Sequence, residues 1–110
     1  MADEIKGNTR RYVRALGPFN GYHLGLRKTP ILLFNLNVGG GFVTFTDEPP
    51  TRSTFVLTIE LPQEGRITVK AETVYRDPSG IAVRFVALDA DAEGRVARTV
   101  ERVRAQQAAT

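Results

Sequence analysis

The middle of the chain alternates hydrophobic and polar positions with a period of two, which is typical of β-strands with one buried face. The pattern is clearest in TFVLTIEL and RITVKAETVY, which are joined by the hairpin-like connection PQEG. ILLFNL is more continuously apolar and predicts a buried strand, and FVTF predicts another after three glycines. A short strand from Tyr22 to Leu26 and a last strand at IAVRFVAL bring the predicted total to six.

The pattern changes after the last strand. Asp89 can cap a helix in which Val96, Val100 and Val103 recur on one face. The same segment carries four arginines interleaved with acidic residues, which indicates a solvated helix face: Arg95, Arg98, Arg102 and Arg104. Six antiparallel strands followed by one helix predict an all-β fold, a small six-stranded antiparallel (split) barrel with a C-terminal α-helix packed on it.

Length and composition restrict the class of protein. At 110 residues, with 42% hydrophobic and 25% charged residues, the chain has room for one domain with one core. Residues 1–9 are polar and predict a flexible N-terminal arm before a single domain at 10–107, with strands at about 20–88 and the helix at about 90–107. No apolar run approaches the roughly 20 residues of a membrane span, and the N-terminus does not resemble a secretory signal. The simplest prediction is a cytoplasmic protein without membrane insertion.

Residues suited to enzyme chemistry are scarce. There is no cysteine, which excludes disulfides and thiolate metal sites, and the single histidine, His23, has no evident metal partner. Ser53 and Ser79 both lie in turn sequences. The glycine run at 39–41 lacks the Lys-Ser or Lys-Thr of a P-loop and leads into a strand rather than a helix. The sequence therefore predicts no catalytic residue, no metal and no cofactor.

Two motifs remain. RRYVR, residues 10–14, is a basic cluster whose guanidinium groups can bind phosphate or the acceptor edge of guanine, although it could also be only a solubilising arm. NLNVGGG, residues 35–41, could be a bulge or a tight bend between two strands. Alternatively it is a ligand-facing strand edge: on an extended chain Asn35 and Asn37 point to one face, and glycines allow close approach and expose N–H groups to anions.

Together these motifs resemble the PilZ domain, the bacterial receptor module for the second messenger cyclic di-GMP (c-di-GMP). That family has an Arg-x-x-x-Arg motif in an N-terminal arm and an (Asp/Asn)-x-(Ser/Ala)-x-x-Gly motif on a barrel strand. RRYVR is similar to the first motif and NLNVGG to the second, and the segment from PSGIAVRFVAL to the C-terminal helix resembles the end of the domain. The resemblance extends over residues 8–105.

The resemblance implies a c-di-GMP receptor or adaptor that is not an enzyme. It implies that one ligand molecule, or an intercalated pair, is bound by a set of residues from both motifs: Arg10, Arg11, Arg14, Asn35, Asn37, Gly39 and Gly40. The arginines would clamp phosphates and guanine O6 and N7, and Asn35 would meet the guanine edge or the ribose. Asn37 departs from the small residue of the motif. Its amide would either crowd the guanine or replace the contact of a hydroxyl group.

Two other functions fit parts of the sequence. A degenerate PilZ-like barrel could keep the fold and regulate motility or secretion through protein contacts without binding the nucleotide. A small barrel could also bind single-stranded nucleic acid, but that would require stacking aromatics on an open sheet face, and the nine aromatics here mostly alternate as core residues. The prediction is therefore a c-di-GMP receptor with a downstream protein partner and no DNA or RNA partner.

Overall fold

The computed structural model describes residues 14–109, so the predicted arm at 1–9 and the predicted ligand residues Arg10 and Arg11 lie outside the described part. Six strands are followed by one helix: β1 Phe19–Leu24, β2 Lys28–Asn37, β3 Gly40–Phe45, β4 Thr54–Leu61, β5 Gly65–Asp77, β6 Gly80–Val86 and α1 Ala90–Ala109. The prediction of a six-stranded antiparallel barrel with a C-terminal helix is confirmed.

The strands form a closed barrel in the order β1-β2-β3-β6-β5-β4. All six neighbouring pairs are antiparallel. The longest regular ladder joins β4 and β5 and runs from the Thr54–Glu72 pair to the Leu61–Gly65 pair. The pair that closes the barrel, β1 with β4, is much shorter and runs only from the Gly21–Ile59 pair to the His23–Leu57 pair.

The first strand begins earlier than its sequence predicts. It runs from Phe19 to Leu24 rather than from Tyr22 to Leu26, because Phe19 is buried in the core while Leu26 is fully exposed at the tip of the β1–β2 hairpin. Gly21 lies inside the strand without ending it. A Cβ atom there would come within 2.3 Å of the carbonyl oxygen of Thr58, so glycine permits the close approach of β1 and β4.

The barrel interior is filled by the inward positions of every strand. Its fully buried large side chains are Ile31, Leu33, Leu36, Val43, Leu57, Ile59 and Ile81. The helix packs against this core through Val96, Val100 and Val103, as the spacing predicts. Its first turn is capped as expected, since Asp89 Oδ1 accepts the Ala92 N–H at 2.8 Å.

The arginines of the helix do more than cover a solvated face. Arg98 and Arg102 both form ion pairs with Glu64 in the β4–β5 hairpin, at 3.0 and 2.9 Å. Arg95 donates to the backbone oxygen of Glu64, and Arg102 also donates to that of Pro62. We call Glu64 with Arg95, Arg98 and Arg102 the hairpin–helix cluster. It fastens the helix to the end of the barrel.

Candidate functional site

The end of β2 is the structural origin of the candidate site. The register with β3 jumps between Phe34 and Asn37, and Asn35 adopts a left-handed φ of 56°. Asparagine tolerates this conformation better than most residues. The chain is therefore not regularly extended at Asn35, as the expectation that Asn35 and Asn37 point to one face assumes, and the alternative interpretation as a bulge is correct.

At the bulge, β2 also pairs with the segment before β1. Ala15 and Leu36 exchange two backbone hydrogen bonds of 2.8 Å there. The Asn35 N–H donates to the Leu16 carbonyl oxygen at 3.0 Å. These bonds fix the backbone directly after Arg14, which places the start of the described chain beside the NLNVGGG turn.

Asn37 uses its side chain to shape that turn. Its Oδ1 accepts the Gly39 N–H at 2.7 Å, and its Nδ2 donates to the Asn35 carbonyl oxygen at 3.4 Å. Asparagine commonly stabilises turns by such bonds to the backbone two residues away. The Gly39 N–H is consequently not exposed to anions in this structure, contrary to the expectation from the sequence.

The second and third glycines allow neighbouring strands to approach. Gly40 has a φ of +153°, and a Cβ atom there would lie 2.0 Å from the Val83 carbonyl oxygen on β6. At Gly41 a Cβ atom would lie 2.9 Å from the Phe34 carbonyl oxygen on β2. The close contacts of these two glycines are therefore with other strands of the barrel, where any side chain would force the sheet apart.

A surface cavity of about 330 Å³ lies beside this turn. Five of the seven predicted ligand residues line it: Arg14, Asn35, Asn37, Gly39 and Gly40. The remaining walls are made by the neighbouring strands: Gly41, Phe42, Val74, Tyr75, Ala82, Val83 and Arg84. The barrel thus brings the described part of both motifs together, with Arg14 supplied by the N-terminal segment and the asparagines by β2.

The lining of the cavity is positively charged. Arg14 and Arg84 contribute guanidinium groups, and no aspartate or glutamate is found among its described lining residues. Arg84 forms an ion pair with Glu72, which lies opposite it on β5, and both side chains remain partly exposed. An anionic ligand is therefore favoured in this cavity, and planar guanidinium groups are suited to phosphate.

Seven of the twelve described lining residues were not predicted from the sequence, and the exposed ones among them are Val74, Tyr75 and Arg84. Val74 and Tyr75 lie at a second register shift, between β5 and β6, and expose 62% and 56% of their surfaces. Arg84 lies at an ordinary outward position of β6. In the sequence, Val74 and Tyr75 are the last two residues of RITVKAETVY, which predicts an ordinary strand. Only the bulge, which the sequence does not reveal, turns them toward the cavity.

His23 lies in β1, near the opposite end of β2. Its ring packs edge to face against Phe45 and Phe55, with centroid distances of 6.0 and 5.7 Å. Burial lowers its pKa below the ordinary value, since the charged imidazolium loses hydration there. These contacts give His23 a packing role in the barrel.

Solved structures with the same fold are PilZ-domain proteins. The PilZ domain with c-di-GMP of YcgR from Escherichia coli is 18% identical, with a TM-score of 0.70, and the match covers 94% of this chain and 99% of that chain. Bacillus subtilis Inhibitor of motility (MotI/DgrA) is 20% identical with a TM-score of 0.76, covering 91% and 53%. YcgR from Escherichia coli in complex with c-di-GMP is 19% identical with a TM-score of 0.65, covering 91% and 49%.

The chain therefore has the fold of a PilZ domain, and it spans about half the length of the last two proteins. No family model matches the sequence, and no curated protein does. Within residues 14–109, no helix is long and apolar enough to cross a membrane.

Proposed function

We propose that this protein is a c-di-GMP receptor of the PilZ type, which orders its N-terminal arginine arm when the ligand binds and relays the signal to a protein partner. One observation carries the proposal. Residues from two motifs that are about 20 positions apart in the sequence line a single cavity, and its described lining residues include no carboxylate: Arg14 from the first motif, and Asn35, Asn37, Gly39 and Gly40 from the second. The same fold holds c-di-GMP in the PilZ domain of YcgR from Escherichia coli.

The chemistry of the cavity suits a guanine nucleotide with phosphate groups. Arg14 can donate two parallel hydrogen bonds to a phosphate or to guanine O6 and N7. Asn35, which is only partly buried, can offer both a donor and an acceptor to the guanine edge. The exposed ring of Tyr75 provides a flat apolar surface for a base.

Asn37 has a different role from Asn35 in this proposal. Because its amide already bonds to the Asn35 carbonyl oxygen and the Gly39 N–H, it maintains the shape of the turn. One acceptor and one donor of its amide are therefore engaged without a ligand, which leaves fewer groups free for a base. Recognition of the base therefore falls mainly to Asn35 and the arginines.

The remaining arginines of the first motif can reach the same cavity. Arg10 is four residues before Arg14. Four residues of extended chain span at most about 14 Å, so Arg10 and Arg11 start within reach of a ligand held by Arg14. A ligand with two phosphates could engage these side chains together, and this would draw the arm onto the barrel.

Isothermal titration calorimetry of the full chain with c-di-GMP tests the proposal. We expect saturable binding of c-di-GMP, weaker binding of cyclic di-AMP and of GMP, and a further loss on Arg14→Ala. Losing one charge-assisted contact that is desolvated by the ligand should cost about 2 kcal/mol, or roughly a 30-fold rise in Kd. The thermal midpoint of the free protein should barely change, because Arg14 is exposed.

Arg27→Ala is the matched control, since the Arg27 side chain is 81% exposed and lies outside the cavity. Equal losses in the two variants would indicate a general charge effect. Equal affinity for cyclic di-AMP, or no binding of any of the three nucleotides, would contradict the proposal. The latter result would favour the degenerate PilZ-like module that acts through protein contacts.

A further inference from the structure

A second, larger cavity lies at the opposite end of β2 from the nucleotide site. It has a volume of about 760 Å³, within the range of cavities that hold ligands or peptide segments. Its walls come from the tip of the β1–β2 hairpin, the β3–β4 loop and the start of β4. None of its lining residues belongs to the nucleotide site.

One wall of this cavity includes an incompletely paired strand edge. The β1–β4 ladder stops at the pair His23–Leu57, while β4 continues toward its beginning through Val56 and Phe55 to Thr54. On the other side, all three residues are paired with β5. Within residues 14–109 no strand pairs with their second edge. Such an edge offers backbone N–H and C=O groups to an additional strand.

Apolar side chains border the same edge. Leu26 is fully exposed at the hairpin tip, and Leu24 and Val56 are 39% and 36% exposed. Pro49 and Pro50 form part of the facing wall. An extended peptide bound along the edge would therefore find apolar contacts for alternate side chains, which is how strand addition acquires specificity.

The charged residues that line this second cavity indicate which kind of partner it favours. Arg52 and Lys70 line it, both are exposed, and their side chains form no ion pair with the described part of the chain. Glu48 is the single acidic residue among the described lining residues. A second copy of the same surface would place these cations against one another, so self-association is disfavoured and an acidic segment is favoured.

We propose that this cavity is a docking site for an extended, acidic and apolar segment of a partner protein, which adds a strand to the free edge of β4 at Thr54–Val56. Backbone hydrogen bonds would hold the segment. Leu24, Leu26 and Val56 would bury its apolar side chains, and Arg52 and Lys70 would pair with its carboxylates. The inference stands apart from nucleotide binding and holds whether or not the first cavity takes c-di-GMP.

NMR titration of the full chain with a defined peptide tests this site. The probe is a blocked heptapeptide that alternates valine with glutamate, compared with a peptide that alternates valine with lysine. We expect saturable shifts in the amides of Thr54, Phe55 and Val56 with the glutamate peptide, and at least about tenfold weaker binding of the lysine peptide. Backbone N-methylation of the central residues should abolish the shifts, because it removes the donors of the added strand.

Charge reversal completes the test. The double variant Arg52→Glu, Lys70→Glu should lose at least about tenfold in affinity for the glutamate peptide, whereas Arg104→Glu, on the exposed helix surface, should bind like the unmodified protein. No shifts at millimolar peptide, equal binding of both peptides, or retained binding of the N-methylated peptide would each overturn the proposal. If the amide shifts of Thr54–Val56 changed with protein concentration in the absence of peptide, the edge would mediate self-association, and the proposal would be overturned as well.

Discussion

At the scale of single residues, Gly40 has the least room for a side chain among the described glycines. Its φ is +153°, and a Cβ atom would overlap the Val83 carbonyl oxygen at 2.0 Å. Because the obstacle is backbone rather than a flexible side chain, the strands must separate to admit even a methyl group. We expect Gly40→Ala to lower the free energy of unfolding by about 3 kcal/mol or more, measured by urea denaturation.

Gly94 provides the matched control for Gly40. It lies in the helix, where the nearest atom given for an added Cβ is Nη1 of Arg98 at 3.3 Å, at the end of a long side chain that can shift slightly. Gly94→Ala should therefore raise the free energy of unfolding by about 0.5–1 kcal/mol through better helix propensity. If both variants behaved alike, the close contact at Gly40 would not be what requires glycine there.

At the scale of single residues, the sequence predicts that Arg14 lies near the asparagines and glycines of residues 35–40, but not the backbone conformation that brings them together. The asparagine and glycine types at 35–41 indicate a bulge or a ligand-facing edge, and the structure shows a bulge whose side chains line a cavity. The left-handed backbone of Asn35 lies where the Asn35 N–H bonds to Leu16 and where Leu36 pairs with Ala15. That pairing is a long-range contact that local residue types cannot specify.

At the scale of elements, the hairpin–helix cluster joins the β4–β5 hairpin to α1. Hydrogen bonds from Arg98 and Arg102 hold the pKa of the Glu64 carboxyl below its ordinary value. A carboxyl whose pKa is depressed by folding contributes stability that is present above its unfolded pKa and is lost as the pH falls through its folded pKa. The cluster should therefore stabilise the docked helix at neutral pH and stop doing so in acid.

Glu64→Gln tests this contribution. We expect the variant to be less stable than the unmodified protein in urea denaturation at about pH 7, and the difference to shrink as the pH falls through the lowered pKa of Glu64 and its carboxyl becomes protonated in the folded protein. Glu60→Gln is the control, because the Glu60–Arg66 pair is longer, at 3.5 Å, and more exposed, so its loss should matter little. A difference for Glu64→Gln that did not change with pH would show that the carboxylate charge is not responsible.

Most elements could be predicted from the sequence because their patterns are strong. The segments TFVLTIEL and RITVKAETVY lie within β4 and β5, and the valines of the helix pack on the core. The structure differs from the sequence prediction mainly in two places, and each difference has a physical cause. The start of β1 is set by burial of Phe19, and the arginines of α1 bind a hairpin some 30 residues earlier in the chain. Neither cause leaves a periodic signal in the local sequence.

At the scale of the whole molecule, the barrel separates two surfaces. Strand β2 runs from Lys28, which pairs with Leu24 beside the second cavity, to Asn37, which lines the first cavity, and a regular strand of ten residues spans about 33 Å. A ligand and an acidic partner segment could therefore bind at the same time without touching. The N-terminal arm is the element that the sequence places at the first of these surfaces.

Hydrogen exchange should show whether the arm responds to the ligand. The sequence predicts slower exchange from Gly7 to Leu16 when c-di-GMP binds, and the structure narrows this range. The Ala15 N–H already donates to the Leu36 carbonyl oxygen at 2.8 Å and Ala15 is fully buried, so its amide should be protected in the free protein. The response should therefore lie in residues 7–13, just before Ala15.

Exchange in residues 7–13 should slow because the ligand binds the protein more tightly when these residues are docked on the barrel than when they are not. A ligand that touches Arg10 and Arg14 together with Asn35 makes all of these contacts only when the arm lies on the barrel. Its higher affinity for the docked arm offsets the conformational entropy lost when the arm is ordered. We expect exchange in residues 7–13 to slow strongly with c-di-GMP, with much smaller changes around Val56 and Val69, and this slowing should be lost in Arg14→Ala. Strong protection of residues 7–13 before ligand is added, unchanged afterwards, would mean that the cavity is a static pocket without an arm switch.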